Sequence, residues 1–367
     1  MKRVFLQPRL RNREVRVAAA REQDMAPMGV SVSRGRVAIC ILLATGLVYY
    51  LHSRFGGSAP GGGEISVDLR QLLALSIKAA EEGGRAVKAV KDSASLNERS
   101  KGKTKEGAEE MVTTGDLLSH GKMTSLFSNT FPNIKVISEE HDNSKVDKSL
   151  VWNNEIPNLI QESIGNARMV SEESITVWID PLDATQEYTD NLSHFVTTMV
   201  CVAVDGIPVI GVIHKPFSKY TAWAMVDGAS NIHPRKSYNE KTPTVIVSRS
   251  HAGAVKPYSK GAFGNDTTII SAGGSGYKVL SLLDTGEAKQ PDRADLYIHV
   301  TFIKKWDICA GNAILKALGG QMTTIEGDVI DYRDSPSNNG GLVATIGMDH
   351  HALLKRLSNL KNLALKK

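Results

Sequence analysis

Residues 197–217, TTMVCVAVDGIPVIGVIHKPF, are two apolar β runs on either side of Asp205-Gly206. An Asp-Gly pair between such runs is the chemistry of a tight hairpin turn, whose central residues need positive φ. A chain that contains this stretch is committed to an antiparallel pair inside a sheet. The neighbouring sequence supplies further strands: IKVIS (134–138), SITVWID (174–180) and YTAWAMVDG (220–228). Two helical patterns precede them. Leu69, Leu72, Leu73, Ile77, Ala80 and Val87 recur at helical spacing, with Ser66 as the expected cap, and 115–131 repeats the pattern. Between these helices, the polar stretch 98–107 reads as a mobile loop.

Polarity rises at 238–242, and a new pattern begins. TVIVSRS (244–250) is strand-like, and TTIISAGGSGYKVLSLLD (267–284) is strand, glycine loop and helix. ADLYIHV (294–300) is another strand, and DICAGNAILKALGG (307–320) is a helix closed by Gly319-Gly320. The expected fold is layered α/β without internal repeats, divided into an N-terminal α+β part over 66–240 and a C-terminal α/β part over 241–360.

The first 65 residues differ in character. Of the basic residues behind the net charge of +5, Lys2, Arg3, Arg9, Arg11, Arg13, Arg16, Arg21, Arg34 and Arg36 precede the apolar run 37–51. Without them the body is near neutral, which argues against nucleic acid as a partner. The run 37–51 reads as a signal-anchor transmembrane helix, with 1–36 a basic cytosolic tail and 52–65 a flexible, glycine-rich linker. The positive-inside bias then predicts a single-pass type II protein with a lumenal body. Two glycosylation triplets begin at Asn191 and Asn265, and Asn265, in a polar, glycine-flanked loop, is the expected acceptor. The cysteines Cys40, Cys201 and Cys309 form no Cys-x-x-Cys pair; the last two read as small buried hydrophobes.

Acids gather at strand and helix ends. In VWIDPLDAT (177–185), Asp180 and Asp183 flank Pro181-Leu182, and Thr185 adds a hydroxyl. If the proline kinks the chain, both carboxylates and the Leu182 carbonyl can face one pocket. Glu139-Glu140 follow another strand, and Asp307 sits at a helix start, where it could serve as a cap or as a ligand. Hard oxygen donors in such numbers suit magnesium, which assists phosphate-ester hydrolysis by neutralising phosphoryl oxygens and activating water. SAGGSGYK (271–278), between a strand and a helix, could present backbone N–H groups and Lys278 to an anion.

WIDPLDAT together with WDICAGNAILKALGG resembles the inositol monophosphatase superfamily, the lithium-sensitive, magnesium-dependent phosphomonoesterases, over residues 69–357. The resemblance implies an α-β-α-β-α sandwich and two or three Mg²⁺ ions. It implies that Glu139, Asp180, the Leu182 carbonyl, Asp183 and Asp307 are metal ligands, and that Asp116 and Thr185 activate the attacking water. It places Thr185, Ser248, His251, Gly274, Lys278 and Asp307 against the substrate. Within the superfamily the sequence is most similar to the membrane-anchored nucleotide phosphatases of the Golgi, which remove the 3′-phosphate of adenosine 3′,5′-bisphosphate and so sustain sulfation. An inositol mono- or polyphosphate phosphatase is the alternative. A small-molecule nucleotide is the expected partner, and the resemblance admits a homodimer. EGAEEMVTTGD (106–116) lacks the Lys-x-Asp-x-Ser-Pro run of the soluble nucleotide phosphatases, so no role is assigned to 106–114.

Overall fold

A computed structural model of the chain describes residues 65–103, 109–141, 146–250, 254–287 and 292–364. Two five-stranded sheets organise it. The first contains β3 (Lys135–Ser138), β4 (Ile175–Asp183), β5 (Thr197–Val204), β6 (Ile207–Lys215) and β7 (Tyr220–Met225), in sequential order. β3 and β4 are parallel, and the remaining pairs are antiparallel. The β5–β6 hairpin turns at Asp205 and Gly206, both with positive φ (51° and 79°). The second sheet contains β8 (Val245–Ser248), β9 (Ile269–Ala272), β10 (Leu296–His299), β11 (Gln321–Thr323) and β12 (Leu342–Thr345), in the order β9-β8-β10-β12-β11. Before them, β1 (Arg99–Lys103) and β2 (Glu109–Val112) pair as a separate two-stranded ribbon. The described part of the expected loop 98–107 is therefore mostly strand.

The layers follow from strand periodicity. Val177, Ile179, Val200, Val202, Ile210 and Val212 face one way and pack on α1 (Leu69–Asp92) and α2 (Thr114–Thr130) through Leu72, Met123 and Phe127. The alternate residues Trp178, Met199, Cys201 and Ile213 meet α7 (Lys305–Ala317) and the inner face of the second sheet. The outer face of that sheet, with Val245, Val247, Leu296 and Ile298, is covered by Val255 and Phe263 of α5 (Val255–Phe263) and by Leu353 and Leu357 of α8 (His350–Ala364). The result is an α-β-α-β-α stack. The short helices α3 (Asn158–Ser163), α4 (Thr185–Thr189) and α6 (Ser275–Leu280) fill the connections.

Close approach of α7 to β6 requires Gly211, because a Cβ there would lie 2.1 Å from the Ala310 carbonyl oxygen. Cys201 of β5 and Cys309 of α7 are joined in a disulfide across the same contact. The reading of these two as unlinked hydrophobes is corrected on this point. Their separation of 108 residues carries no local signal, and only the packing of α7 on β5 brings them together. The first helix is capped by Asp68, whose side chain accepts the Arg70 N–H, rather than by Ser66, which pairs with Ser171 in a short strand.

The expected membrane anchor is also corrected. Among the described residues no helix is long and apolar enough to cross a membrane, and 37–51, with the tail and linker around it, lies outside them. By length alone, a run of fifteen residues would rise only about 22 Å if it were helical, short of the ~30 Å hydrocarbon core. The 24-residue α1 has the length but carries charges along its exposed face, among them Lys78, Glu82, Arg85 and Lys88. The transmembrane signal-anchor, the single-pass type II topology in the Golgi membrane and the membrane as a partner therefore find no support in the structure.

Candidate active site

The site lies where the ends of β3 and β4 meet the starts of α2, α4, α6 and α7. β4 is bulged between Asp180 and Asp183: Asp180 pairs with Met199 and Asp183 with Thr197, three residues against two. On a regular strand, positions three apart point to opposite faces. The bulge around Pro181 cancels that, and both carboxylates line one cavity of about 390 Å³. Ala184 then takes the left-handed conformation (φ 72°, ψ 46°), a strained turn for a residue with a Cβ. It delivers Thr185 to the first position of α4.

Thr185 Oγ1 lies 2.9 Å from Asp116 Oδ1 and 3.1 Å from the Leu182 carbonyl oxygen. The other carboxylate oxygen of Asp116 accepts from Thr113 N–H (2.7 Å) and Thr113 Oγ1 (2.6 Å), the capping box of α2. Burial lifts the Asp116 carboxyl to about 6, and the Thr113 bonds oppose that shift.

Glu139, Asp180 and Asp307 each place a carboxylate oxygen within 4.8 Å of the others. Glu139 continues from β3, its N–H donating to the Ile179 carbonyl, and Asp307 belongs to the first turn of α7. Burial, then the charges of Glu139, Asp183 and Asp307, hold the Asp180 carboxyl well above the usual carboxylate range. Burial raises Asp307 likewise, with Glu139 and Asp183 adding to it. Glu139 is pushed up to about 7 by burial and Glu140, against the pull of Lys101. Asp183, raised by burial, is held by Lys278 and by three donors: Ser275 N–H (3.0 Å), Gly276 N–H (2.8 Å) and Thr197 Oγ1 (3.0 Å).

This donor set fits a divalent cation. It is all hard oxygen, its members disfavour one another's ionisation, and a lysine ammonium already leans on one of them: Lys101 Nζ lies 2.8 Å from Glu139 and 2.6 Å from Glu140. The described residues thus contain an acidic cluster of the kind that holds such an ion.

Of the other expected site residues, Ser248, Gly274 and Lys278 line the cavity. Gly274 has φ 61°, and a Cβ there would meet Asp183 Oδ2 at 2.8 Å. Leu182 buries its side chain with Val87, Tyr188 and Val196. His251 lies outside the described residues. Asn265 is exposed in the turn between α5 and β9. Residues that sequence reasoning missed are Lys101, Glu109 and Glu110 from the ribbon, Glu187 and Lys304, all of which line the same cavity. Glu187 Oε1 is buried without a hydrogen-bond partner, 3.8 Å from Arg249 Nε. Only the position of Glu187, two residues beyond Thr185, could have pointed to it.

A model of the inositol monophosphatase family matches residues 68–362. The chain belongs to that family. Among similar proteins, "Inositol monophosphatase 3" of Xenopus tropicalis is 57% identical over 355 residues, covering 94% of this chain and 99% of the relative. "Golgi-resident adenosine 3′,5′-bisphosphate 3′-phosphatase" is 55% identical in Mus musculus and 54% in Homo sapiens, covering 92% of this chain and 99% of the relative in both cases. The fold resembles the solved inositol monophosphatase from Anabaena (TM-score 0.54, 16% identity, 79% of this chain and 96% of that one). It also resembles the suppressor protein suhB from Bartonella henselae (TM-score 0.56, 15% identity, 79% and 97%).

Proposed function

We propose that the chain is a magnesium-dependent phosphomonoesterase that hydrolyses the 3′-phosphate of adenosine 3′,5′-bisphosphate to give AMP and phosphate. The reading rests on the Asp116–Thr185 pair, 2.9 Å apart, beside the Glu139–Asp180–Asp307 cluster. The substrate follows from relatives of that name that match the chain at more than half identity over nearly their whole length.

Glu139, Asp180, Asp183, Asp307 and the Leu182 carbonyl would hold two or three Mg²⁺ ions. Bound there, magnesium neutralises phosphoryl oxygens and makes water acidic enough to attack. The chain's own residues do the rest. Thr185 Oγ1 accepts a hydrogen bond from the attacking water and passes its own proton toward Asp116 Oδ1. Asp116, with its carboxyl near 6, can take a proton near neutral pH and give it up again. Thr113 keeps the second Asp116 oxygen occupied, so the carboxylate cannot rotate away. Thr197 and the α6 N–H groups fix Asp183 in the same way. Ser248, His251, Gly274 and Lys278 are assigned to the substrate.

A second reading, an inositol phosphate phosphatase, is favoured by the Xenopus relatives named for that activity. Phosphate release by the full chain with Mg²⁺ is measured on adenosine 3′,5′-bisphosphate and on inositol 1-phosphate in parallel. The nucleotide is expected to have the higher kcat/KM, and chelation to abolish turnover of both. A higher value for the inositol ester replaces the first reading with the second.

A further inference from the structure

A substrate with two phosphates poses an electrostatic problem for this cavity. Its walls carry Glu109, Glu110, Glu139, Asp180, Asp183, Glu187 and Asp307, and a second dianion entering beside them is repelled over the Debye length of about 8 Å. The metal site serves the phosphate that reacts. The one that does not react needs a cation whose charge the protein has not already spent.

Among the described residues three lysines line the cavity: Lys101, Lys278 and Lys304. Lys101 is paired with both Glu139 and Glu140. Lys278 is 4% exposed, 5.4 Å from the Tyr297 ring centroid, and balances Asp183, Glu187 and Asp307. Lys304 is different. It is half-buried just before α7 and makes no ion pair among the described residues. Its Nζ lies 5.0 Å from the centroid of Phe302 and 5.2 Å from that of Trp306. The rings attract the ammonium through their quadrupoles and restrict where it sits, but they do not neutralise it. The arrangement leaves the Lys304 ammonium at the cavity wall, three residues from Asp307, with no acid paired to it among the described residues.

We propose that Lys304, held by Phe302 and Trp306, binds the non-reacting phosphate of the substrate and so sets the preference for a bisphosphate. This rests on the bisphosphate reading above. It makes Lys304 a specificity residue, separate from the Asp116–Thr185 pair and from the acidic cluster.

The test compares two substrates with the same scissile ester, adenosine 3′,5′-bisphosphate and adenosine 3′-phosphate, in the full chain and its Lys304→Met and Lys304→Arg variants. A charge-assisted contact of this kind is worth about ten- to a hundredfold in affinity. Lys304→Met is therefore expected to shrink the ratio of kcat/KM on the two substrates by about ten- to a hundredfold, through KM rather than kcat. Lys304→Arg is expected to restore most of it. Calorimetric affinity for AMP, which keeps the 5′-phosphate, is expected to fall by the same factor. The ratio does not depend on the fraction of folded enzyme, so a destabilised variant still reports. An unchanged ratio, or equal losses on both substrates with AMP affinity intact, overturns the assignment. A wild type that hydrolyses inositol 1-phosphate but neither nucleotide overturns the functional reading itself, and Lys304 falls with it.

Discussion

The helices α2 and α7 begin in the same way and serve different ends. Each has an aspartate at its third position that turns back to the N–H of the residue before the helix. Asp116 accepts from Thr113 at 2.7 Å, and Asp307 accepts from Lys304 at 3.3 Å. Beyond that bond the two diverge. Asp116 has both oxygens engaged, by Thr113 Oγ1 and by Thr185. The Asp307 carboxylate makes no other hydrogen bond among the described residues and presents an oxygen to Glu139 and Asp180. A capping box consumes only part of a carboxylate, and what faces the remaining lone pairs decides the role. In the mechanism proposed above, the acid faced by a hydroxyl is the proton relay and the acid faced by other acids is the cation ligand.

Paired substitutions offer the sharpest way to break this contrast. Asp307→Asn keeps the volume and the cap acceptor but removes the charge that faces the cluster. Its Mg²⁺ affinity is expected to fall by more than the ~100-fold that loss of an outer-shell partner costs, with turnover falling accordingly. Asp116→Asn is expected to lose about 10²- to 10⁴-fold in kcat, the range of a lost general base, with Mg²⁺ affinity nearly unchanged. Adding Thr185→Ala to Asp116→Asn is expected to cost little more, because the two act as one unit. Calorimetric Mg²⁺ binding and steady-state kinetics on both variants settle it. Equal effects of the two asparagines on metal affinity would erase the distinction drawn from their geometry.

A smaller effect is expected from pH. The Glu139 carboxyl at about 7, with those of Asp180 and Asp307 raised as well, means that the folded, metal-free chain binds more protons than the unfolded chain above the ordinary carboxylate range. Its stability therefore falls as pH rises from about 4.5 toward 7. A divalent cation competes with those protons, so the rise in Tm on adding Mg²⁺ is expected to grow across the same window. Asp307→Asn is expected to lose most of that growth, and Asp116→Asn to keep it. A Mg²⁺ effect independent of pH would mean that the cluster is ionised without the metal.

These differences also mark what could be read from residues alone. The Asp205-Gly206 hairpin, the period-2 strands and the acids after β3 and β4 were legible, because each is a local pattern. The layering of the two sheets followed from where those patterns changed. Asp307 was legible only as a choice between cap and ligand; the structure shows the cap, and beside it a carboxylate oxygen grouped with those of Glu139 and Asp180. Lys101 could not be found, since its bonds to Glu139 and Glu140 cross 38 and 39 residues and depend on how the β1–β2 ribbon folds over the site. The Cys201–Cys309 bond was hidden for the same reason. The rings that hold Lys304 are its near neighbours, but nothing in a Phe-Ile-Lys-Lys-Trp string says which lysine turns into the cavity. Pairing over long distance is a property of the fold, and the sequence announces it only through the elements that the fold later brings together.

The smallest expected effect tests the cap itself. Thr113 ends the chain's approach to α2: its Oγ1 lies 3.1 Å from the Gly115 N–H and 2.6 Å from Asp116 Oδ2. α7 has Lys304 in that place, with no hydroxyl to offer Asp307. Thr113→Val preserves volume and removes both contacts. Losing such a cap costs about 1 kcal/mol, or a fall of about 2 °C in Tm for a chain of this size. The second consequence is specific to this site. The hydrogen bonds from Thr113 favour the charged form of Asp116 and oppose the upward push of burial. Without the hydroxyl the Asp116 carboxyl moves further up, so the acidic limb of the kcat profile is expected to shift to higher pH. The equivalent change at α7 has no such partner to remove, and the acidic limb should be indifferent to it. A Thr113→Val enzyme with a lowered Tm and an unmoved acidic limb would leave the cap as structure only, and would return Asp116 to the same footing as Asp307.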